Sequence, residues 1–92
     1  MSHRKRINHN RIETLYLLNT SIDKLNEEGF FTVRVYLNLR ALKVKNMAEF
    51  REIILNRHEK ENEEKLENFG LRSVQEVNEL FRRANVKVPE IW

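Results

Sequence analysis

The chain has 92 residues, with 17 lysines and arginines against 14 aspartates and glutamates, a formal net charge of +3, no cysteine, two glycines and one proline. A chain of this length buries only roughly 60–65% of its unfolded surface, which allows one modest core and excludes a large enclosed active site. Without cysteine there are no disulfides, thiolate zinc sites or thiol nucleophiles, and the sparse glycine and proline argue against a series of β-hairpins. We therefore expect one small all-α domain.

The positive charge is concentrated at the N-terminus. Residues 1–12 contain four cations and no acid: Arg4, Lys5, Arg6 and Arg11. Without them, 13 basic residues face 14 acidic ones, a net charge of −1. We expect residues 1–10 to form a flexible basic arm, because they are too polar to bury a core, and residues 11–92 to form a single helical domain. No stretch is apolar enough for a membrane helix or a secretory signal, which predicts a cytoplasmic protein.

The first half of the body contains three predicted helical segments. Apolar residues cluster over 12–18, the cap-like sequence Asn19-Thr20-Ser21 interrupts them, and Ile22 and Leu25 follow. Gly29 is suited to a turn with positive φ. Thr32 can cap a helix that runs to about Leu42, although the β-branched residues at its start also allow a strand. The predicted inward side chains of this helix are Val33, Tyr36, Leu37 and Ala41.

The second half contains two further helix starts. Asn46 and Glu49 have the spacing of a capping box, and the helix after them should bury Met47, Phe50, Ile53 and Ile54. Residues 56–67 mix five glutamates with three cations, which is typical of a solvated helix face; an acidic metal site is the alternative. Ser73 and Glu76 form a second predicted capping box, after which Val74, Val77, Leu80, Phe81 and Ala84 recur at helical spacing. Pro89 should end the regular structure, with Ile91 and Trp92 folding back onto the domain. In all, we expect about five short helices.

No catalytic apparatus is visible. The three histidines, His3, His9 and His58, lack the i, i+4 partner of a helical metal site, so we expect neither a metal nor a cofactor. Among the hydroxyl side chains of the body, Ser21, Thr32 and Ser73 are better explained as helix caps than as nucleophiles. We therefore expect a protein that is not an enzyme.

The stretch Asn68-Phe69-Gly70-Leu71-Arg72-Ser73-Val74-Gln75-Glu76-Val77 is the most informative part of the chain. Gly70 allows a tight turn directly before a helix, whose N-terminus carries free N–H groups and the positive end of the helix dipole. Such an end binds phosphate, and Arg72 and Asn68 place further donors beside it. The alternative is structural: Gly70 simply ends one helix and Ser73 starts the next.

This stretch resembles the Asn-Leu-Gly-x-Lys/Arg-Ser-Leu-x-Glu-Ile signature of the C-terminal domain of the bacterial RNA polymerase α subunit. The segments Ser21–Leu25, Thr32–Arg34, Leu39-Arg40 and Val44–Phe50 are similar to that family in the same order, so that roughly residues 17–88 are covered. A few residues are extra near 26–30, and about five are extra in the acidic run. The resemblance implies a compact helical domain with helix–hairpin–helix-like elements.

In function, the resemblance implies a non-catalytic transcription module that binds the minor groove of A·T-rich promoter DNA and docks RNA polymerase or transcription regulators. It implies a bacterial, cytoplasmic and nucleoid-associated protein. Carried over position by position, the implied DNA-binding residues are Arg34, Asn68, Gly70, Arg72 and Ser73. Accessory phosphate contacts are expected from Arg4, Lys5, Arg6, Arg40 and Lys43. Glu76 is expected to cap its helix or to contact a protein partner.

The chain departs from the family pattern at Leu37, where the family usually has asparagine. Asn38 is adjacent, but one residue along a helix turns the side chain by about 100°. A second hypothesis therefore remains open: a protein-interaction module that kept the helical scaffold, lost DNA binding and docks on transcription proteins. Leu37, the acidic run and the nearly neutral body favour this alternative.

Overall fold

A computed structural model describes residues 11–89, and within this range the chain is helical. The predicted all-α bundle is confirmed, with six described helices in place of the expected five or so. They are α1 (Thr14–Asn19), α2 (Ile22–Glu27), α3 (Val33–Leu42), α4 (Met47–Leu55), α5 (Lys60–Phe69) and α6 (Leu71–Arg83). Helix α3 lies at the centre of the contacts, since it packs against α2, α5 and α6.

The predicted starts of α2, α3 and α4 are confirmed by side-chain caps. The hydroxyl of Ser21 accepts the N–H of Lys24 at 3.1 Å, Thr32 Oγ1 accepts the N–H of Val35 at 3.3 Å, and Asn46 Oδ1 accepts the N–H of Glu49 at 3.0 Å. A side-chain oxygen at this position satisfies an N–H group that has no partner in the helix. The strand interpretation of the start of α3 is therefore wrong.

The capping box of α4 is displaced by one residue. The Glu49 carboxylate accepts the N–H of Lys45 at 2.8 Å, whereas the expected donor was Asn46. Asn46 instead pairs with Ser21 in an isolated antiparallel bridge, and the N–H of Ile22 donates to the carbonyl of Lys45 at 3.0 Å. This pairing ties the start of α4 to the start of α2.

One core joins the six helices, and its α4 and α6 contributions match the sequence prediction. The residues predicted to be inward on these helices are all buried: Met47, Phe50, Ile53, Ile54, Val74, Val77, Leu80, Phe81 and Ala84. The acidic run is the solvated part of α5, which buries only Leu66 and Phe69. Among residues 11–89, no three or more histidine or carboxylate side chains are grouped to hold a metal ion.

The predicted inward face of α3 is wrong except at Tyr36, which is partly buried against the core. The buried residues of this helix are Val35 and Leu39, while Val33 is 72% and Leu37 56% exposed. Apolar residues occur on every side of α3, so the sequence pattern does not define a single stripe. Packing against α2, α5 and α6 determines which side faces inward, and it leaves Leu37 opposite the core.

The start of the described chain is tied to the end of α6. The N–H of Ile12 donates to the carbonyl of Arg83 at 3.2 Å, and the hydroxyl of Thr14 donates to the carbonyl of Ala84. Helix α6 ends at Arg83, six residues before Pro89, where the sequence analysis expected regular structure to stop. The predicted basic arm and the expected packing of Ile91 and Trp92 lie outside the described residues. Within the described part of the chain, no helix has the length and apolar character needed to cross a membrane.

Candidate nucleic-acid interface

Gly70 alone separates α5 from α6. Its backbone has φ 94° and ψ 144°, a combination that side-chain-bearing residues rarely adopt. A Cβ built on Gly70 would meet no atom within 4 Å, so the backbone conformation, not lack of space, requires glycine here. The predicted tight turn before a helix is confirmed.

The N-terminus of α6 carries no side-chain cap. Its first turn closes with the N–H of Val74 donating to the carbonyl of Gly70 at 3.0 Å. The N–H groups of Leu71, Arg72 and Ser73 come before this bond, at the positive end of the dipole of a helix of 13 residues. An uncapped helix end of this kind favours an anionic ligand.

The predicted capping box of Ser73 and Glu76 is wrong. Helix α6 begins at Leu71, two residues before Ser73, because Gly70 turns the chain without any intervening loop. Ser73 is therefore inside the helix and only 1% exposed, and its hydroxyl accepts a hydrogen bond from Asn38 Nδ2 at 3.0 Å. Of the predicted DNA-binding residues, Ser73 thus offers a ligand its backbone N–H rather than its buried side chain.

Asn38 of α3 holds the Gly70 turn from the inside. Besides its bond to Ser73, its Nδ2 donates to the carbonyl of Phe69 at 3.0 Å. This carbonyl belongs to the last turn of α5, where helical partners run out. One amide therefore connects the end of α5, the start of α6 and the middle of α3. An asparagine inside a helix is intrinsically unfavourable, which is the one sequence signal for such a tertiary contact.

Replacing Asn38 with alanine is expected to lower the free energy of unfolding by about 1–3 kcal/mol, because the buried Ser73 hydroxyl and the Phe69 carbonyl lose their donor. Urea denaturation followed by circular dichroism measures this change. The matched control is Asn19→Ala at the exposed end of α1, which should change stability by less than about 0.5 kcal/mol. Equal effects of the two substitutions would contradict the role assigned to Asn38.

The start of α3 meets the second turn of α6 through Glu76. One carboxylate oxygen of Glu76 accepts the hydroxyl proton of Thr32 at 2.8 Å, and the other lies 3.6 Å from the guanidinium of Arg34. Arg72 and Glu76 are four residues apart on α6 and are therefore neighbours on its surface. Arg34 and Arg72, which are distant in sequence, thus lie on one face of the molecule with Glu76 between them.

The other predicted residues differ in their availability. Arg34, Asn68 and Arg72 are exposed, and Gly70 is half-buried. Arg40 lies at the other end of α3, where its guanidinium donates to the Tyr36 hydroxyl at 3.3 Å and stands 5.7 Å from the ring centre. The hydrogen bond to Tyr36 raises the pKa of Arg40 above its usual value.

Lys43 is exposed in the left-handed conformation that ends α3, with φ 64°. Arg40 and Lys43 follow Arg34 by six and nine residues, which places them about 9 and 13 Å further along the axis of α3. They therefore form a patch separate from Arg34. Arg4, Lys5 and Arg6 are outside the described residues.

Comparisons with protein-family models, with curated proteins and with solved structures found no match to this chain. The interface is therefore defined by its own geometry: a glycine turn, an uncapped helix end and two arginines on one face. The resemblance to the polymerase domain stays a prediction from the sequence.

Proposed function

We propose that this chain is a DNA-binding transcription module that binds the minor groove of A·T-rich promoter DNA through Arg34, Asn68, Arg72 and the backbone around Gly70. The observation that carries the proposal is the contact of Glu76 with Thr32 and Arg34. Through this contact the two sequence segments expected to bind DNA share one face. Binding without a catalytic step is the role that such a face supports.

The local positive charge supports a polyanionic partner, although the net charge of the body as a whole, −1, does not. Residues 30–48 contain no acid, and this stretch provides Arg34 and the start of α3. The first turn of α6 adds no acid and one exposed arginine, Arg72. Phosphates of a duplex can therefore meet cations and free N–H groups together, and each neutralised phosphate makes the affinity more dependent on salt.

The negative charge of Glu76 does not cancel the positive charge of this surface. The side chains of Arg34 and Glu76 are 53% and 34% exposed, and ion pairs at such exposure contribute only about 0–1 kcal/mol. A phosphate can replace the carboxylate at Arg34 at little cost. Meanwhile the hydrogen bond from Thr32 keeps Glu76 in position, so that the arginine is directed towards the start of α6 when DNA is absent.

The proposed preference for A·T-rich DNA follows from shape. The minor groove offers a degenerate pattern of hydrogen-bonding groups, but A-tracts narrow it and strengthen its negative potential, which attracts arginine. The surface has two exposed arginines and one asparagine, too few groups to identify a long unique sequence. We expect a preference for groove shape in promoter DNA, within the bacterial nucleoid.

The basic arm can add phosphate contacts from the other end of α6. Ile12 is hydrogen-bonded to Arg83, which lies about 20 Å from Gly70 along α6. Ten extended residues reach up to roughly 33 Å. Arg4, Lys5 and Arg6 can therefore contact the backbone of the same duplex beyond the main interface.

The test is a titration of the full chain with short A·T-rich and G·C-rich duplexes of equal length, followed by fluorescence anisotropy and by NMR shifts. We expect tighter binding to the A·T-rich duplex, a steep decrease in affinity with salt, and shifts concentrated at Arg34, Asn68, Gly70 and Arg72. Lack of binding to either duplex at low salt would sink the proposal. Shifts confined to other surfaces would remove these residues from it.

A protein-interaction module is the second candidate, and the exposure of Leu37 favours it. This side chain is 56% exposed where the polymerase family usually has a polar residue. Exposed apolar groups near charged ones are typical of protein-binding surfaces. The discriminating experiment is a pull-down with nuclease treatment: recovery of RNA polymerase or its regulators after nuclease favours this candidate, and recovery that depends wholly on DNA excludes it.

A further inference from the structure

Three of the large exposed apolar side chains lie at the candidate interface. Within residues 11–89, the exposed large apolar residues are Leu15, Tyr16, Val33, Leu37, Leu55 and Leu71. Val33 and Leu37 occupy adjacent turns of α3, and Leu71 is the first residue of α6. Their exposures are 72%, 56% and 51%. Each leaves apolar surface in water, which is unfavourable unless a partner covers it.

The apolar residues are interleaved with the two arginines. Leu71 lies between Gly70 and Arg72 in the sequence, and Leu37 is three residues after Arg34, which makes the two neighbours on the surface of α3. Asn38, the next residue after Leu37, donates hydrogen bonds to Phe69 and Ser73, which bracket Leu71 in the chain. The backbone segments that carry the two leucines therefore come together at the α3–α5–α6 junction, while the leucine side chains themselves are exposed to solvent.

This combination indicates a partner that is anionic at its borders and apolar between them. The minor groove of a duplex can meet both requirements: phosphates line its walls, and although its floor carries hydrogen-bond acceptors, the faces of its stacked bases are apolar and become accessible where a base step opens. Proteins that bind the minor groove frequently insert leucine or other apolar side chains between base pairs, which unstacks a step and bends the duplex. Cations beside the wedge hold the phosphates on either side of the opened step.

We propose that Leu71, supported by Leu37, enters the minor groove as an apolar wedge and bends the DNA. This inference rests on the proposed DNA binding and adds a mechanical activity to it. The free N–H groups at the start of α6 and Arg72 anchor the backbone next to the wedge. Flexible pyrimidine–purine steps such as TA are the expected insertion points, because they unstack most easily.

The test uses an A·T-rich duplex with a central TA step, dyes at both ends for energy transfer, and in a second version 2-aminopurine at that step. For the wild-type chain we expect a bend of roughly 20–90° and increased 2-aminopurine fluorescence, which reports unstacking. Leu71→Ala should lose the bend and the fluorescence increase, and its affinity should fall roughly tenfold. Leu37→Ala should show the same changes to a smaller extent.

Leu15→Ala is the matched control. Leu15 is 63% exposed on α1, so this substitution removes an equal apolar side chain from another surface. It should bind and bend DNA as the wild type does, and unchanged thermal unfolding of all three variants shows that the fold is retained. Binding by the wild type without bending or unstacking overturns the wedge but not the proposed function. No binding at all overturns the proposed function first.

The same variants also distinguish a protein partner of Leu37 and Leu71 from DNA. If Leu37→Ala and Leu71→Ala bind and bend DNA as Leu15→Ala does, but lose binding to an acidic amphipathic peptide of glutamate and leucine, the residues form a protein surface. That result overturns the wedge.

Discussion

Replacing Arg34 and Arg72 together with alanine is expected to weaken binding to an A·T-rich duplex by about a hundredfold or more, since each arginine in contact with DNA contributes roughly 1–3 kcal/mol. Both side chains are exposed, so the loss is not a loss of folding. The salt dependence should also flatten, by about 0.9 in the slope of log K against log salt for each phosphate contact removed. Anisotropy titrations at several salt concentrations measure both quantities.

The control for this double variant removes the same charge elsewhere. Lys60 and Arg82 lie at the ends of α5 and α6 that are far from Gly70, and both are exposed. Lys60→Ala combined with Arg82→Ala has the same net charge as the first double variant. It should weaken binding only slightly, because both side chains lie far from Gly70. If the two double variants bind DNA equally, general attraction accounts for the affinity and the assigned interface is wrong.

Replacing Phe50 with alanine is expected to lower the free energy of unfolding by about 3–5 kcal/mol, the usual cost of truncating a buried phenylalanine. Phe50 is fully buried in α4, and its ring lies 4.8 Å from that of Phe69, centre to centre, at 40°. A domain of this size has a total stability of roughly 4–12 kcal/mol. The substitution therefore removes much or all of the folded population, which urea denaturation at low temperature measures.

The consequence of this cavity extends to the interface. Phe69 is the residue immediately before Gly70, and its carbonyl accepts the hydrogen bond from Asn38. Loss of Phe50 loosens the packing that positions the end of α5, so DNA binding should decrease even where the domain remains folded. Phe50→Leu is the matched control, because it retains most of the apolar volume and should cost less. A loss below about 1 kcal/mol for Phe50→Ala would contradict the assigned core role.

Local sequence signals predicted most of the fold. Ser21, Thr32 and Asn46 each have a side chain that accepts an N–H three residues ahead, and this property does not depend on distant parts of the chain. The inward residues of α4 and α6 also followed from their spacing. These signals acted independently of the tertiary structure, which is why one sequence was sufficient to find them.

The predictions from the sequence were wrong where two local signals competed or where none was decisive. Ser73 and Glu76 match the capping pattern, but α6 is preceded by Gly70 and so starts three residues earlier than this pattern predicts, which makes Ser73 a buried acceptor for Asn38. For α3, apolar residues on all sides left the inward face undetermined, and Leu37 was placed inward although it is exposed. In both cases a contact with another helix decided the outcome.

By itself, the sequence determined that the chain is helical, where three of the six described helices begin, and that Gly70 makes a tight turn, because caps, periodicity and positive φ are properties of short segments. Only the tertiary structure decided that Glu76 links the start of α3 to α6, that Asn38 holds the Gly70 turn, and that Leu37 and Leu71 lie exposed near the arginines. These contacts join residues about 30 to 45 positions apart. Their partners are selected by how whole helices pack, which no local pattern encodes.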